Sequence, residues 1–213
     1  MIQNNNIIIG FTGMKSVGKD TAADYLVNYH GYRRESFAGT LKDAVSSIFG
    51  WDRTLLEGRT RESREWRESV DPWWSERLNM PGLTPRFVLQ HWGTNVCRVA
   101  FHDDIWIASL ENKICKTTDN IVISDVRFPN EIKAIHRSGG IVIRIKRGPD
   151  PEWIDQAILA NGGDEQAKKY LKDINVHESE SAWAGCTIDH VISNDTTIDE
   201  LYEQLQNLIN GQE

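Results

Sequence analysis

Cysteine is scarce in this chain of 213 residues. Its three cysteines, Cys97, Cys115 and Cys186, lie far apart and form no C-x-x-C pair. An odd number of scattered cysteines is untypical of a disulfide framework or a cysteine-based zinc site. The pattern indicates reduced thiols in an intracellular protein.

Long apolar runs and an excess of positive charge are also missing. No stretch approaches the roughly 20 apolar residues of a membrane-spanning helix, and residues 1–6 lack the charged and apolar segments of a leader peptide. Lysine and arginine number 24 against 31 aspartates and glutamates, which gives a net charge of −7. This balance disfavours a non-specific nucleic-acid surface. We expect a cytoplasmic protein with neither membrane nor nucleic-acid partners.

The composition is that of an ordinary folded protein, with 39% hydrophobic and 26% charged residues. A chain of this length can bury one substantial core. We therefore expect residues 1–213 to form a single α/β domain that carries an insertion or a lid.

The most informative stretch is residues 13–21, which match the pattern G-x-x-x-x-G-K. It follows an apolar run at residues 7–9 and opens into a helical pattern, which is the context of a phosphate-binding loop. Gly13 and Gly18 allow a backbone that aims successive N–H groups at an anion, and the helix start adds a positive dipole end. Lys19 can reach the β and γ oxygens of a nucleotide. The loop is predicted to bind polyphosphate, with a simple glycine-rich turn as the alternative.

The residues after Lys19 narrow the class of protein. Asp20 follows it and the hydroxyl comes one position later, on Thr21, whereas GTPases and motor ATPases place Ser or Thr directly after the lysine. The shift is similar to the G-K-G-T form of nucleoside monophosphate kinases. Asn112 and Lys113 are not followed by the aspartate of a guanine-reading motif. GTP switching is therefore disfavoured, and a small phosphate acceptor is expected.

Apolar runs bounded by polar residues predict five strands. They lie near residues 6–11, 33–37, 120–124, 141–145 and 189–192. Asp125 directly follows one of these runs, where a magnesium-side carboxylate is expected in a chain with a phosphate loop. Arg127 lies beside it and could neutralise a transferring phosphoryl group. The alternatives are a helix N-cap for Asp125 and a surface charge for Arg127.

Lys42 lies at the start of a helical pattern, just after a predicted strand. Ligands of an open parallel sheet bind beyond the carboxyl ends of its strands. Lys42 is therefore a candidate contact for the acceptor phosphate, and a solvated lysine at a helix start is the alternative.

Two regions are irregular in sequence. Residues 51–82 interleave glutamates and arginines, often at i,i+4 spacing. They indicate either a salt-bridged exposed helix or an insertion that closes over the acceptor with one arginine and Trp73 or Trp74. The alternative for both tryptophans is a place in the core. Residues 148–177 are polar, with one amphipathic piece near residues 166–174, which is typical of a lid.

Taken in order, these residues resemble the deoxynucleoside monophosphate kinases of large tailed bacteriophages. The landmarks span nearly the whole chain, apart from residues 51–82 and 149–176. They are residues 13–21, Ala38 and Gly39 with Leu41, Lys42 and Asp43, then Arg86, Gln90, Gly93 and Thr94, Asp125 with Arg127, Arg147 with Gly148, and residues 193–195. Acceptor choice and closure are expected to reside in the two divergent segments.

The resemblance implies an α/β fold of the P-loop kinase type, a three-layer sandwich in which a central parallel sheet of about five strands is flanked by helices. It implies transfer of the γ-phosphoryl group of ATP, with Mg²⁺, to a deoxynucleoside monophosphate. It leaves a homodimer open. If the chain is encoded by a phage, its compartment is the host cytoplasm.

The resemblance also implies site residues by their position. Those expected to hold the ATP phosphates and Mg²⁺ are Gly13, Lys15, Gly18, Lys19, Asp20 and Thr21. Arg147 and Asn194 would border the base of ATP or the lid. Those expected to face the acceptor are Lys42, Arg86, Gln90 and Arg98. The reacting centre would be formed by Lys19, Asp125 and Arg127, and the metal would be held by Asp20, Thr21 and Asp125.

Two other classes share many of these features. One is another P-loop small-molecule kinase, of the dephospho-coenzyme A or phosphomevalonate type. The other is a non-catalytic or ATP-hydrolysing interaction module. A candidate acceptor site beside the donor site disfavours the second class.

Overall fold

The computed structural model describes residues 6–211. The expectation about a leader peptide concerns residues 1–6, and all of these except residue 6 lie outside the described residues. The chain divides into two compact units, of which the first combines the N-terminal residues up to Ser36 with the part from Glu111 onward. The second is Phe37–Leu110.

The first unit contains strands and helices, and Phe37–Leu110 contains helices without a strand. The strands are β1 (Ile8–Thr12), β2 (Arg33–Glu35), β3 (Ile121–Ile123), β4 (Ile141–Lys146) and β5 (His190–Ser193). The α-helices are α1 (Lys19–His30), α2 (Gly39–Phe49), α3 (Arg61–Glu68), α4 (Pro72–Arg77), α5 (Pro85–Gln90), α6 (Ile105–Ile114), α7 (Pro129–Arg137), α8 (Ile154–Asn161), α9 (Glu165–Asp173), α10 (Glu178–Ser181) and α11 (Ile198–Asn210). A 3₁₀ helix covers Leu55–Glu57, and a π-helix covers His91–Val99.

The five strands form one parallel sheet in the order β2-β3-β1-β4-β5. Every residue of β1, the central strand, is buried, because helices cover both faces of a parallel sheet of this kind. The predicted fold, an α/β sandwich around a five-stranded parallel sheet, is confirmed.

The sheet and its helices enclose the core of the first unit. Ile9 and Phe11 of β1 and Ile143 of β4 are fully buried. Ala22 and Ala23 of α1 are also fully buried, and side chains of this size let the helix approach the sheet closely. This packing fixes the start of α1, and with it the loop at residues 13–18.

The second unit has a core of aromatic and aliphatic side chains from α2, α3, α4, α5 and the 3₁₀ helix. Trp74 packs against Phe49 and donates a hydrogen bond from Nε1 to the Phe49 carbonyl oxygen at 3.0 Å. Trp73 is 60% exposed. Residues 51–82 therefore contain helices with their own core contacts, and α3 carries the expected salt bridge, between Arg61 and Glu65.

Two details differ from the sequence pattern. Glycine often ends a helix, but the π-helix His91–Val99 continues through Gly93 and Thr94. Trp106 Nε1 donates a hydrogen bond to the Gly93 carbonyl oxygen at 2.9 Å, which satisfies a carbonyl inside this wider turn. Residues 148–177 were expected to contain one amphipathic piece, but they contain two helices, α8 and α9. The apolar residues of α8 lie on both sides of the helix, with Ala157 buried and Leu159 exposed, so its sequence shows little helical period.

Within residues 6–211, no helix is both long and apolar enough to cross a membrane.

Candidate functional site

The loop between β1 and α1 adopts a backbone that requires glycine at both ends. Gly13 has φ +125°, Gly18 has φ +106° and Ser16 has φ +65°. A Cβ atom at Gly18 would lie 2.4 Å from Nδ2 of Asn194, so a side chain is excluded there by contact as well as by conformation. The predicted glycine-bounded strand-to-helix turn is therefore present.

Lys19, the first residue of α1, is folded back into this loop. It is only 7% exposed, and its Nζ donates hydrogen bonds to the carbonyl oxygens of Gly13 at 2.7 Å and Met14 at 2.5 Å. Burial and the nearby charge of Arg127 lower the pKa of Lys19 to about 8, although Glu180 and Asp20 act in the opposite direction. The negative charges of Glu180 and Asp20 thus offset only part of the effect of burial and of Arg127 on the Lys19 ammonium.

Arg127, from the loop after β3, lies near Lys19 and is hydrogen-bonded to α10. Its Nη1 donates to Glu180 Oε1 at 2.7 Å and to the Ser179 carbonyl oxygen at 3.1 Å. The other carboxylate oxygen, Glu180 Oε2, accepts from the backbone N–H of Lys15 at 2.6 Å. The structure therefore brings Lys15, Lys19 and Arg127 together, as expected, around a carboxylate that the sequence did not single out. The sequence signal for Glu180 is a pair of glutamates, Glu178 and Glu180, just after His177.

Asp20 and Thr21 follow Lys19 on the first turn of α1. The Asp20 side chain is 77% exposed, and its Oδ1 accepts from Ser124 Oγ at 3.1 Å and pairs with Arg34 Nη2 at 3.1 Å. Ser124 directly follows β3 and precedes Asp125. Oxygen atoms from the start of α1 and the end of β3 therefore lie side by side, and Ser124 and Arg34 are additions to the predicted set.

Asp125 is half-buried at the end of β3 and influences Glu131 on α7. The Glu131 Oε2 atom accepts from the backbone N–H of Arg127 at 2.7 Å and of Phe128 at 3.0 Å. Burial and the negative charge of Asp125 raise the pKa of Glu131 to about 7. Phe128 is the N-cap residue of α7, so the alternative of an N-cap role for Asp125 does not apply to that helix.

The end of β5 is fastened to the phosphate loop. The buried Asn194 side chain donates from Nδ2 to the Val17 carbonyl oxygen at 2.8 Å. Arg147 at the end of β4 donates from Nε to the Asn194 carbonyl oxygen at 2.9 Å. Both residues expected to border the donor nucleotide are therefore joined to each other and, through Asn194, to the loop.

In the second unit, Lys42 lies in an ion-pair network. Its Nζ is 2.7 Å from Glu57 Oε2, and Glu57 Oε1 also pairs with Arg53. Burial raises the pKa of Glu57, but hydrogen bonds and charges from Lys42 and Arg53 outweigh it and hold the value at about 2. Lys42 is therefore a partly buried, oriented cation rather than a freely solvated lysine.

Three arginines of the second unit line one shallow, open surface cavity of about 450 Å³ together with two glutamates. Arg64 and Arg67 come from α3, and Arg86 comes from α5 and pairs with Glu68 at 3.2 Å. Burial and the like charge of Arg86 lower the pKa of Arg67, and its Nε is buried without a hydrogen-bond partner among residues 6–211. The three arginines outnumber the two glutamates, so the cavity has an excess of positive charge, which favours the binding of an anion.

The other two predicted acceptor residues, Gln90 and Arg98, are not among the residues that line this cavity. Gln90, the last residue of α5, is exposed. Arg98, in the π-helix, has its Nη2 2.6 Å from Asp103 Oδ1. Arg86 thus lies at an arginine-lined cavity, Lys42 in the Glu57 network and Arg98 in a local ion pair.

Comparison with known proteins decides the family. No family model matches the chain. A protein of Acanthamoeba polyphaga mimivirus named as a deoxynucleotide monophosphate kinase is 30% identical, over 93% of this chain and 94% of its own length. The chain belongs to the deoxynucleoside monophosphate kinase family.

A second relative carries a matching name. The deoxynucleoside-5'-monophosphate kinase of Escherichia phage T5 is 27% identical over 59% of this chain and 70% of its own length. The resemblance to this family expected from the sequence is thus confirmed.

Solved structures were also matched. Shikimate kinase from Aquifex aeolicus covers 96% of this chain with 97% of its own, at 11% identity and a TM-score of 0.42. Dephospho-CoA kinase from Campylobacter jejuni covers 97% of both chains at 16% identity and a TM-score of 0.40. The fold of this chain follows from its own sheet order.

Proposed function

We propose that this chain transfers the γ-phosphoryl group of ATP to a deoxynucleoside 5'-monophosphate and releases ADP and the deoxynucleoside diphosphate. The observation that carries the proposal is the buried Lys19 ammonium in a glycine-bounded loop of a chain that belongs to the deoxynucleoside monophosphate kinase family. A kinase of this family requires a phosphoryl donor, and ATP is the donor we infer.

The donor phosphates would bind at the loop. Its backbone N–H groups, among them that of Lys15, and the Lys19 ammonium are the donors that a polyphosphate requires. The residues proposed to bind the donor phosphates are Gly13, Lys15, Gly18, Lys19, Asp20 and Thr21. Arg147 and Asn194 are proposed to border the nucleotide base of ATP or the lid. The Asn194 bond to Val17 supports this assignment, because it joins the end of β5 to the loop.

Charge at the reacting centre would come from Lys19 and Arg127. A loose phosphoryl-transfer transition state spreads negative charge over three equatorial oxygens, so positive groups stabilise it and a strong base is unnecessary. Each well-placed group of this kind is typically worth about 3 kcal/mol. Exclusion of water would protect the phosphoryl group from hydrolysis, and residues 148–177 are proposed as the lid that provides it.

The donor set beside the loop fits Mg²⁺, which prefers hard oxygen ligands. Asp20 and Ser124 place a carboxylate and a hydroxyl together at 3.1 Å, and Thr21 and Asp125 would add one oxygen each. Among the described residues there is no cluster of three or more acidic, histidine or cysteine side chains for a metal. A site completed by phosphate oxygens and water is the usual arrangement for this ion. When bound, Mg²⁺ would supply charge neutralisation on the phosphate oxygens.

The acceptor phosphate would bind at the arginine-lined cavity of the second unit. Arg67 and Arg86 offer guanidinium groups, which match a phosphate monoester in charge and in paired donor geometry. The other residues proposed for the acceptor are Lys42, Gln90 and Arg98. Because these residues surround or follow residues 51–82, that segment is proposed as the acceptor-side insertion.

The test is ADP release from Mg·ATP with each of the four common deoxynucleoside monophosphates in turn. AMP, dephospho-coenzyme A and water serve as control acceptors. Release that depends on one or more deoxynucleotides supports the proposal and measures its specificity. Release that depends on dephospho-coenzyme A, or on water alone, would move the assignment to another kinase or to an ATP-hydrolysing module.

A further inference from the structure

Glu180 bridges two of the groups proposed to bind the ATP phosphates. Its Oε2 atom accepts the Lys15 backbone N–H at 2.6 Å, and its Oε1 atom accepts Arg127 Nη1 at 2.7 Å. The carboxylate comes from α10, which lies 165 positions along the chain from the loop it contacts. Both oxygens of one anion are thus bound by loop and arginine donors.

The surroundings keep this carboxylate ionised. Burial raises the pKa of Glu180, but hydrogen bonds from Arg127 and Lys15 and the positive charges of Arg127 and Lys19 outweigh it, so the pKa lies below the usual value. Glu180 in turn raises the pKa of Lys19. The carboxylate therefore behaves as a counter-ion of the loop.

A phosphate oxygen would use the same donors. An N–H at the start of a glycine-bounded loop and a guanidinium are the groups that bind phosphate in such loops. One N–H cannot be aimed at the Glu180 carboxylate and at a phosphate oxygen in the same geometry. An ionised carboxylate and a phosphate at one place would also repel each other.

We propose that the Glu180 carboxylate takes the place of a donor phosphate at the loop, so that ATP must displace it and Glu180 thereby sets the affinity for ATP. This inference rests on the proposed function, in which the loop binds the ATP phosphates. When ATP displaces Glu180, Arg127 and the Lys15 N–H exchange their hydrogen bonds to Glu180 for hydrogen bonds to the nucleotide. Glu180 is therefore an affinity-determining residue and not a catalytic one.

The test is calorimetric titration of wild type and Glu180→Gln with Mg·ATP and, separately, with inorganic triphosphate, both without acceptor. Removing the charge while keeping the size of the side chain is expected to tighten both ligands about 10- to 100-fold, the range of one or two charge-assisted hydrogen bonds. Glu178→Gln is the matched control, because this glutamate is exposed on the same helix. It is expected to leave both affinities unchanged.

Glu180→Asp provides a second variant whose shorter side chain keeps the charge, and it is also expected to bind both ligands more tightly. Unfolding midpoints verify that each variant is folded. Equal or weaker binding by both Glu180 variants would overturn this inference alone. Failure of the wild-type protein to bind ATP would overturn the proposed function and this inference with it.

Discussion

The carbonyl oxygen of Ile145 lies where a side chain at Gly13 would begin. A Cβ atom at Gly13 would be 2.3 Å from this oxygen, and Gly13 also has φ +125°. The end of β4 therefore packs directly on the first residue of the phosphate loop. This contact explains the need for glycine at the first position of the motif in terms of packing as well as backbone conformation.

Gly13→Ala is expected to reduce the free energy of unfolding by at least about 3 kcal/mol, because both a backbone clash and a glycine-only conformation are imposed. Any folded variant should also lose ATP binding, since the loop must shift. Urea unfolding and ATP titration measure the two effects. Gly31→Ala is the matched control: its φ is +69° with nothing within 4 Å of the added Cβ, so about 1 kcal/mol is expected. Equal losses for the two variants would contradict the packing explanation.

Glu57 makes a pH-dependent contribution to stability. Its folded-state pKa of about 2 lies below the unfolded value of 4.5, so the stabilisation is complete above pH 4.5 and is lost as the pH falls towards 2. Glu57→Gln is expected to lower the free energy of unfolding by about 2 kcal/mol at pH 7, after allowance for solvent screening, and by less at pH 3.5.

Urea unfolding of both proteins at the two pH values measures this difference. Glu65→Gln is the control, because the Arg61–Glu65 pair is 88% and 64% exposed and should contribute little at either pH. A loss for Glu57→Gln that is the same at pH 7 and pH 3.5 would show that the ionised form of Glu57 is not what stabilises the second unit.

Arg67→Met is expected to raise the KM for the deoxynucleoside monophosphate about 10- to 100-fold and to leave the KM for ATP unchanged. The reason is that Arg67 lines the arginine-lined cavity beside Arg86, where its guanidinium adds positive charge. Steady-state kinetics with one substrate varied at a time separate the two constants. Arg61→Met on the same helix is the control, since this arginine is exposed and should change neither KM. A rise in the KM for ATP instead would assign the cavity to the donor.

The sheet and the loop could be predicted from the sequence because they depend on local patterns. Apolar runs at the strand positions and the spacing from Gly13 to Lys19 are readable from neighbouring residues. The resemblance added the order of landmarks such as Asp125 and Arg127, and the structure brings Arg127 to the loop.

The contacts that complete the site could not be predicted in this way. Glu180 meets Lys15 across 165 positions, and Asn194 meets Val17 across 177, so both contacts exist only once the sheet has formed. The arginine-lined cavity depends on α5 packing beside α3, which the alternating charges of residues 51–82 do not specify. Helix α8 escaped prediction because its weakly amphipathic sequence shows little period.

We propose that phosphoryl transfer depends on the Lys19 ammonium in the loop. The direct measurement is deoxynucleotide-dependent ADP release by Lys19→Met, compared with wild type and with Lys116→Met, in which an exposed lysine receives the same substitution. We expect at least a hundredfold loss of turnover for Lys19→Met, about 3 kcal/mol or more, with a normal unfolding transition. Lys116→Met should match wild type. Near-normal turnover by a folded Lys19→Met protein would show that phosphoryl transfer does not depend on the Lys19 ammonium.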